Sequence, residues 1–239
     1  MAATITINPR FRGPLASGNG GVSAGLAAEF VEGPATVRLR RPPPLGRPLQ
    51  VRRAVGVVQV MDADEVVLEA AGGTHPVELP ADPDILARVF KRGTTPVPEG
   101  YAAPECFVCG PREDGLGICP RHLPGTEVWA TVWIPNASVS ADGVTVDPHI
   151  VWGALDCPAG IAVVRYGLVE PEFFPALASF TASLEHPVPV DRPVAVFGWL
   201  IDEDERRVNG GTAIVDDDGT VFASAYAQHA RLPLEFASS

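Results

Sequence analysis

Asp156 stands in ALDCP, residues 154–158, as an ionisable side chain inside an otherwise apolar run. A carboxylate so placed can act as a general base or as a nucleophile. SGNGG at 17–21 offers a complementary chemistry. Ser17 and Asn19 are residue types that cap helix N-termini, and Gly20 and Gly21 let another group approach the backbone closely. The unpaired N–H groups of a first helical turn carry partial positive charge and suit an oxyanion. Ser23 and Cys157 each carry a nucleophilic atom, but no Ser-His-Asp pattern surrounds either and Gly-x-Ser-x-Gly is absent. His149 falls at a helix start and Trp152 one turn later, where either could touch a substrate. Each has a plain alternative, a surface histidine and a core tryptophan. Asp156 has one too: followed by Cys157-Pro158, it could cap a helix that begins at Pro158.

The elements that must position these groups come twice. LRRPPPLGRPLQV at 39–51 lies on LEHPVPVDRPVAV at 184–196 at a constant offset of 145, matching Leu39 with Leu184, Arg47 with Arg192 and Val51 with Val196. Thr36 falls on Thr181 at the same offset. Around the first copy, a short alternating strand (TITI) precedes a helix with apolar positions Val22, Leu26, Ala27 and Phe30, ended by Gly33-Pro34. Three β-rich stretches follow, ATVRLR, PLQVRRAVGVVQV and EVVLEAAG. Around the second, the strand EVWATVWIP precedes the helical candidate HIVWGALDCPAGIAVVRYG, then four strands, with an added EPEFFPA after the helix. Asp217-Asp218-Gly219 reads as a hairpin turn. The expected fold class is α+β, each half an antiparallel sheet wrapped around one apolar helix, with repeats at 1–80 and 106–239. Residues 81–105 are expected as the linker, with one short helix in DPDILARVFKRG.

Composition narrows the partners. Of 239 residues 46% are apolar and 20% charged, enough for packed cores. A net charge of −11 argues against nucleic acid, whose phosphates need clustered Lys and Arg. No apolar stretch approaches the roughly 20 residues that span a bilayer. The N-terminus shows no basic-then-apolar leader, and four cysteines do not make a disulfide framework. A soluble cytoplasmic protein, with no membrane partner, is expected.

The order of these features resembles the hotdog fold, and specifically a double hotdog in which two tandem copies imitate the usual homodimer. CFVCGPREDGLGI at 106–118 is similar to the Cys-Phe-x-Cys-Gly…Gly-Leu segment of hotdog thioesterases of the phenylacetyl-CoA type. SGNGG resembles their His-Gly-Gly helix start, with Asn19 at the histidine, and ALDCP resembles the segment carrying their catalytic aspartate. The resemblance implies an acyl-CoA thioesterase with its site between the copies: Asp156 of one helix facing Gly20 and Gly21 of the other, Asn19 beside the thioester, and Ser17, Ser23, His149 and Trp152 around the substrate. Phe173 and Phe174 would help to bound the acyl tunnel. Coenzyme A enters as part of the substrate and no separate cofactor is implied. The reciprocal site lacks a carboxylate at Ala27 or Ala28, Glu29 being one or two positions off, and has Asp147-Pro148-His149 in place of the glycines. One working site and one degenerate one are therefore expected, in a chain that is a monomer or a homo-oligomer. The alternative is a binding module that holds acyl-CoA or another hydrophobic ligand without turnover. A hydratase would need an Asp-x4-His pair, which Asp147 and His149 do not make.

Cys106, Cys109, Cys119 and His122 make C-x2-C-x9-C-x2-H, with the ligand types of a tetrahedral zinc knuckle. Against that reading, the first two cysteines belong to the thioesterase-like segment and Cys119-Pro120 falls where a strand should run. No metal is expected.

Overall fold

The computed structural model describes residues 3–14 and 16–237. Its first half runs β1 (Thr4–Thr6), α1 (Gly20–Ala28), β2 (Ala35–Leu39), β3 (Pro48–Ala54), β4 (Val57–Asp62) and β5 (Glu65–Gly72). Next come α2 (Pro83–Arg92) and the two-residue β6 (Arg121–His122). The second half runs β7 (Val128–Trp133), α3 (Pro148–Val163), β8 (Phe174–Leu184), β9 (Val194–Glu203), β10 (Arg207–Val215) and β11 (Val221–Leu232). All these strands form one sheet, in the order β1-β3-β4-β5-β2-β8-β11-β10-β9-β7-β6. Followed outward from the β2–β8 junction, the two halves give the same order of equivalent strands.

The junction explains part of the sequence repeat. Thr36 pairs with Thr181 directly across β2 and β8, their hydroxyls 2.9 Å apart, so two equivalent positions meet each other. The repeated prolines lie between β2 and β3 and between β8 and β9, outside the ladders, where their missing N–H is not needed. Each proline-rich loop instead supplies an acceptor. Pro43 O accepts from Gly18 N at 2.7 Å, and Val188 O accepts from Val146 N at 2.9 Å. Gly18 and Val146 each precede the N-cap of a central helix, Asn19 and Asp147. The repeated loops thus hold the two helix starts. Arg47 with Asp62, and Arg192 with Asp216, make the same tie between strand ends in each half.

α1 and α3 pack on one another inside the sheet. A Cβ on Gly21 would lie 2.5 Å from the Trp152 carbonyl oxygen, and one on Gly25 would lie 2.6 Å from His149 Cα. The glycines are there because the two backbones touch. Seven of the nine α1 residues are buried, which is why its sequence is small and apolar nearly all round. α3 begins at Pro148, so Asp156 is mid-helix and does not start a helix at Pro158; that capping alternative is excluded. Pro158 falls inside α3, where it gives no N–H to the Ala154 carbonyl.

The 81–105 segment is more than a connector. Asp82 caps α2 by accepting from Ile85 N at 2.9 Å, and Gly93 ends it at a φ of +75°. Leu86 and Val89 of α2 cover Val128, Ala130, Phe197 and Trp199 on the outer face of the sheet. β7 is therefore buried on both faces, and its unbroken apolar sequence follows from that. No helix among the described residues is long and apolar enough to cross a membrane.

Candidate active site

The first turn of α1 is assembled from three acceptors. Asn19 Oδ1 accepts from Val22 N at 3.0 Å, and Asn19 O accepts from Ser23 N at 3.0 Å. Asp156 Oδ2 reaches across from α3 to accept from Gly21 N at 2.8 Å. No residue other than glycine fits at position 21, because a Cβ would also lie 2.6 Å from Asp156 Cβ. Gly20 is the remaining donor of this turn, and among the described residues nothing accepts from its N–H. Of the two glycine N–H groups expected to hold an oxyanion, Gly21 is thus committed to the carboxylate and Gly20 is available.

Asp156 is 8% exposed. Burial pushes its carboxyl from the usual 3.8 up to about 7, against the pull of the Gly21 N–H. Asn19 is 1% exposed; its Oδ1 is used as the cap, and its Nδ2 points at the sulfurs of Cys157 (3.8 Å) and Cys106 (3.9 Å). Its side chain is therefore engaged within the protein.

A cavity of about 580 Å³ opens from these groups, walled by Gly20, Asp156, Cys157, Phe174, Leu177 and His229. Ser17, Phe173 and the loop Arg40 to Pro43 also line it. The added segment after α3 makes the cavity possible. α1 is joined to β2 by residues 29–34, whereas α3 runs on to Val163 and reaches β8 through 164–173. Part of the expected loop is strand, since β8 begins at Phe174. His229 escaped sequence reading, although it is the one ionisable residue in a row of inward alanines, Ala223, Ala225 and Ala227. Burial lowers its imidazole from 6.5 to about 4, so it is neutral in the wall.

Three expected substrate contacts lie elsewhere. Ser23 is fully buried beneath Gly18 and is not among the residues lining this cavity. Trp152 packs edge-on against Phe180 and lines a second cavity of about 230 Å³ at the opposite end of the helix pair. His149 belongs to that end also, with Nδ1 3.2 Å from Glu29 Oε1. Helix position explains both: they start α3, whereas Asp156 lies more than a turn further along and faces the start of α1.

Cys106, Cys109, Cys119 and His122, the set with zinc-ligand spacing that was set aside in the sequence, are not brought together. His122 bonds to Thr126 O at 2.8 Å and sits against Trp129, and Cys119 is buried apart. Instead Cys157 of α3 joins Cys106 and Cys109, the three sulfurs lying within 4.8 Å of one another.

No family model matches the sequence, and no curated protein matches it. Solved structures do. A hot dog fold protein of unknown function from Alicyclobacillus acidocaldarius aligns over 96% of this chain and 93% of its own, with a TM-score of 0.55 at 11% identity. A protein from Novosphingobium aromaticivorans whose thioesterase assignment is provisional aligns over 95% and 94%, with a TM-score of 0.55 at 14% identity. The fold of this chain is a hotdog α+β fold.

Proposed function

We propose that the chain is two tandem hotdog units enclosing one acyl-thioester hydrolase site at the start of α1. The single observation that carries this is the Asp156 carboxylate held 2.8 Å from Gly21 N at the mouth of a large, mostly apolar cavity. In this reading the acyl chain lies in the cavity between the helices and β8. The thioester carbonyl points toward the Gly20 N–H, the donor left at the positive end of α1. Arg40 and Arg41, at the cavity rim, meet the phosphates of coenzyme A; both are ion-paired on their other side, with Glu69 and Glu65.

Asp156 removes a proton from water as its oxygen attacks the carbonyl carbon, or attacks that carbon itself to give an anhydride that water opens. In both routes the C–S bond breaks, the thiolate leaves and takes up a proton, and the products are a carboxylic acid and a thiol. The Gly21 N–H fixes the direction of the carboxylate without neutralising it. Asn19 acts through the turn it caps and does not polarise the substrate.

One observation favours a second reading, ligand binding without turnover. Gly21 N–H is bonded to Asp156 and Asn19 Nδ2 points at the sulfurs of Cys106 and Cys157, leaving the Gly20 N–H as the single donor for an oxyanion. Hydrolysis of acyl-CoA thioesters across chain lengths, with Asp156→Asn beside the wild type, tests the two. Turnover lost in the variant supports the hydrolase; ligand retention by both proteins with no turnover by either supports the binding module.

A further inference from the structure

We propose that Cys106, Cys109 and Cys157 bind one zinc ion in the cavity wall next to Asp156. The proposal stands on the arrangement of the sulfurs and of the donor aimed at two of them, and is independent of the thioester reading. The three sulfurs come from two distant segments, the 106–109 turn and the middle of α3, yet lie within 4.8 Å of one another. Cys106 Sγ and Cys157 Sγ are 3.6 Å apart. Thiolates at a tetrahedral zinc, with Zn–S about 2.3 Å, are separated by about 3.8 Å, so small side-chain rotations bring the trio to that geometry.

Buried cysteines often act as small apolar side chains, which need no hydrogen-bond donors. Here two of the three sulfurs share one. Asn19 Nδ2 lies between the sulfurs of Cys106 and Cys157, 3.9 and 3.8 Å away. A donor aimed at two of the sulfurs stabilises negative charge there, and that is what the surrounding shell of a thiolate–metal site does.

The turn itself is built to hold this shape. Gly110 N donates to Cys106 O at 3.0 Å, and a Cβ on Gly110 would lie 2.5 Å from Pro104 O. Leu116 N and Ile118 N bond back to Phe107 O and Val108 O, both at 2.8 Å. Soft sulfur donors select zinc or copper(I) over magnesium or calcium. Three protein ligands is the count of zinc sites that take a fourth ligand from solvent or substrate. All three cysteines line the cavity, from which water completes the set. Each thiol that enters as thiolate releases its proton to solvent, so loading releases protons.

The test uses the full chain, purified with reductant, stripped with chelator and titrated with cobalt(II), then zinc. The expected result is one cobalt per chain, with a sulfur-to-cobalt charge-transfer band and the strong visible bands of a tetrahedral ion, both erased by zinc. Cys109→Ser should weaken zinc on the order of 100-fold or more, and Cys119→Ser and His122→Ala should leave it unchanged, with circular dichroism showing all three folded. Absence of the charge-transfer band overturns the proposal. So does equal loss in Cys119→Ser, or a metal-free wild type whose mass shows a Cys106–Cys157 disulfide.

Discussion

The α1–α3 pair has two ends built on one plan and filled with different chemistry. At one end the start of α1 meets Asp156; at the other the start of α3 meets Glu29. Matching the N-caps Asn19 and Asp147 puts Ala28 at the place of Asp156 and His149 at the place of Gly21. The first end has a buried carboxylate on a backbone N–H and a cavity of about 580 Å³. The second has a partly exposed carboxylate on a histidine ring and about 230 Å³. The two frames match, and a longer α3 with a longer β8 goes with the larger cavity at only one of them. The lesson is that a helix start becomes a site when glycine admits a partner's side chain and the opposite strand extends far enough to wall a cavity.

That contrast can be broken by four measurements. Asp156→Asn is expected to lower acyl-CoA hydrolysis by about 10²–10⁴-fold, while Glu29→Gln leaves the rate unchanged; equal losses in the two would erase the distinction. Gly21→Ala should destabilise the fold by about 3 kcal/mol, because the new Cβ meets the Trp152 carbonyl, a backbone atom that cannot step aside. His149→Ala at the equivalent place should lose about 1 kcal/mol or less, as expected of a partly exposed pair. Denaturant unfolding of both variants gives the comparison.

His229 sharpens it by pH. Its folded value of about 4 is below the ordinary 6.5, so in that window the unfolded chain takes up a proton that the folded chain refuses. Stability is untouched above pH 6.5 and falls as the pH drops from 6.5 through 4, by about 3 kcal/mol in total. His229→Gln should remove that part of the slope, read as the difference between the unfolding free energies of wild type and variant. The smallest effects belong to what the halves share: Arg47→Ala and Arg192→Ala should each lose about 1 kcal/mol or less. A large loss in only one would show that the ties to Asp62 and Asp216 are not equivalent.

The repeat at an offset of 145 was readable from local residue types, whereas the facing of Asp156 and the SGNGG turn came only from the resemblance to hotdog thioesterases. Prolines mark a connection, and a glycine pair after a cap marks a helix start that something approaches. Helix boundaries were less readable at Asp156, where Cys157-Pro158 is as good a start signal as the true one at Asp147-Pro148. Packing decided for the longer helix. The cysteine set was read along the chain as Cys106, Cys109, Cys119 and His122, but the trio that meets includes Cys157, which no spacing rule connects to a turn 51 residues away.

By itself the sequence determined two strand-and-helix halves, the small apolar character of their helices, an acidic residue in one helix and a capped glycine pair at the start of the other. Those properties follow from backbone preference and from which side chains leave water. Only the tertiary structure decided that Gly21 is spent on Asp156, that Trp152 and His149 face the other end, and that three sulfurs converge. The reason is geometric: the packing of the two buried helices and the cysteine turn sets which faces meet, through contacts between residues 51 to 135 positions apart.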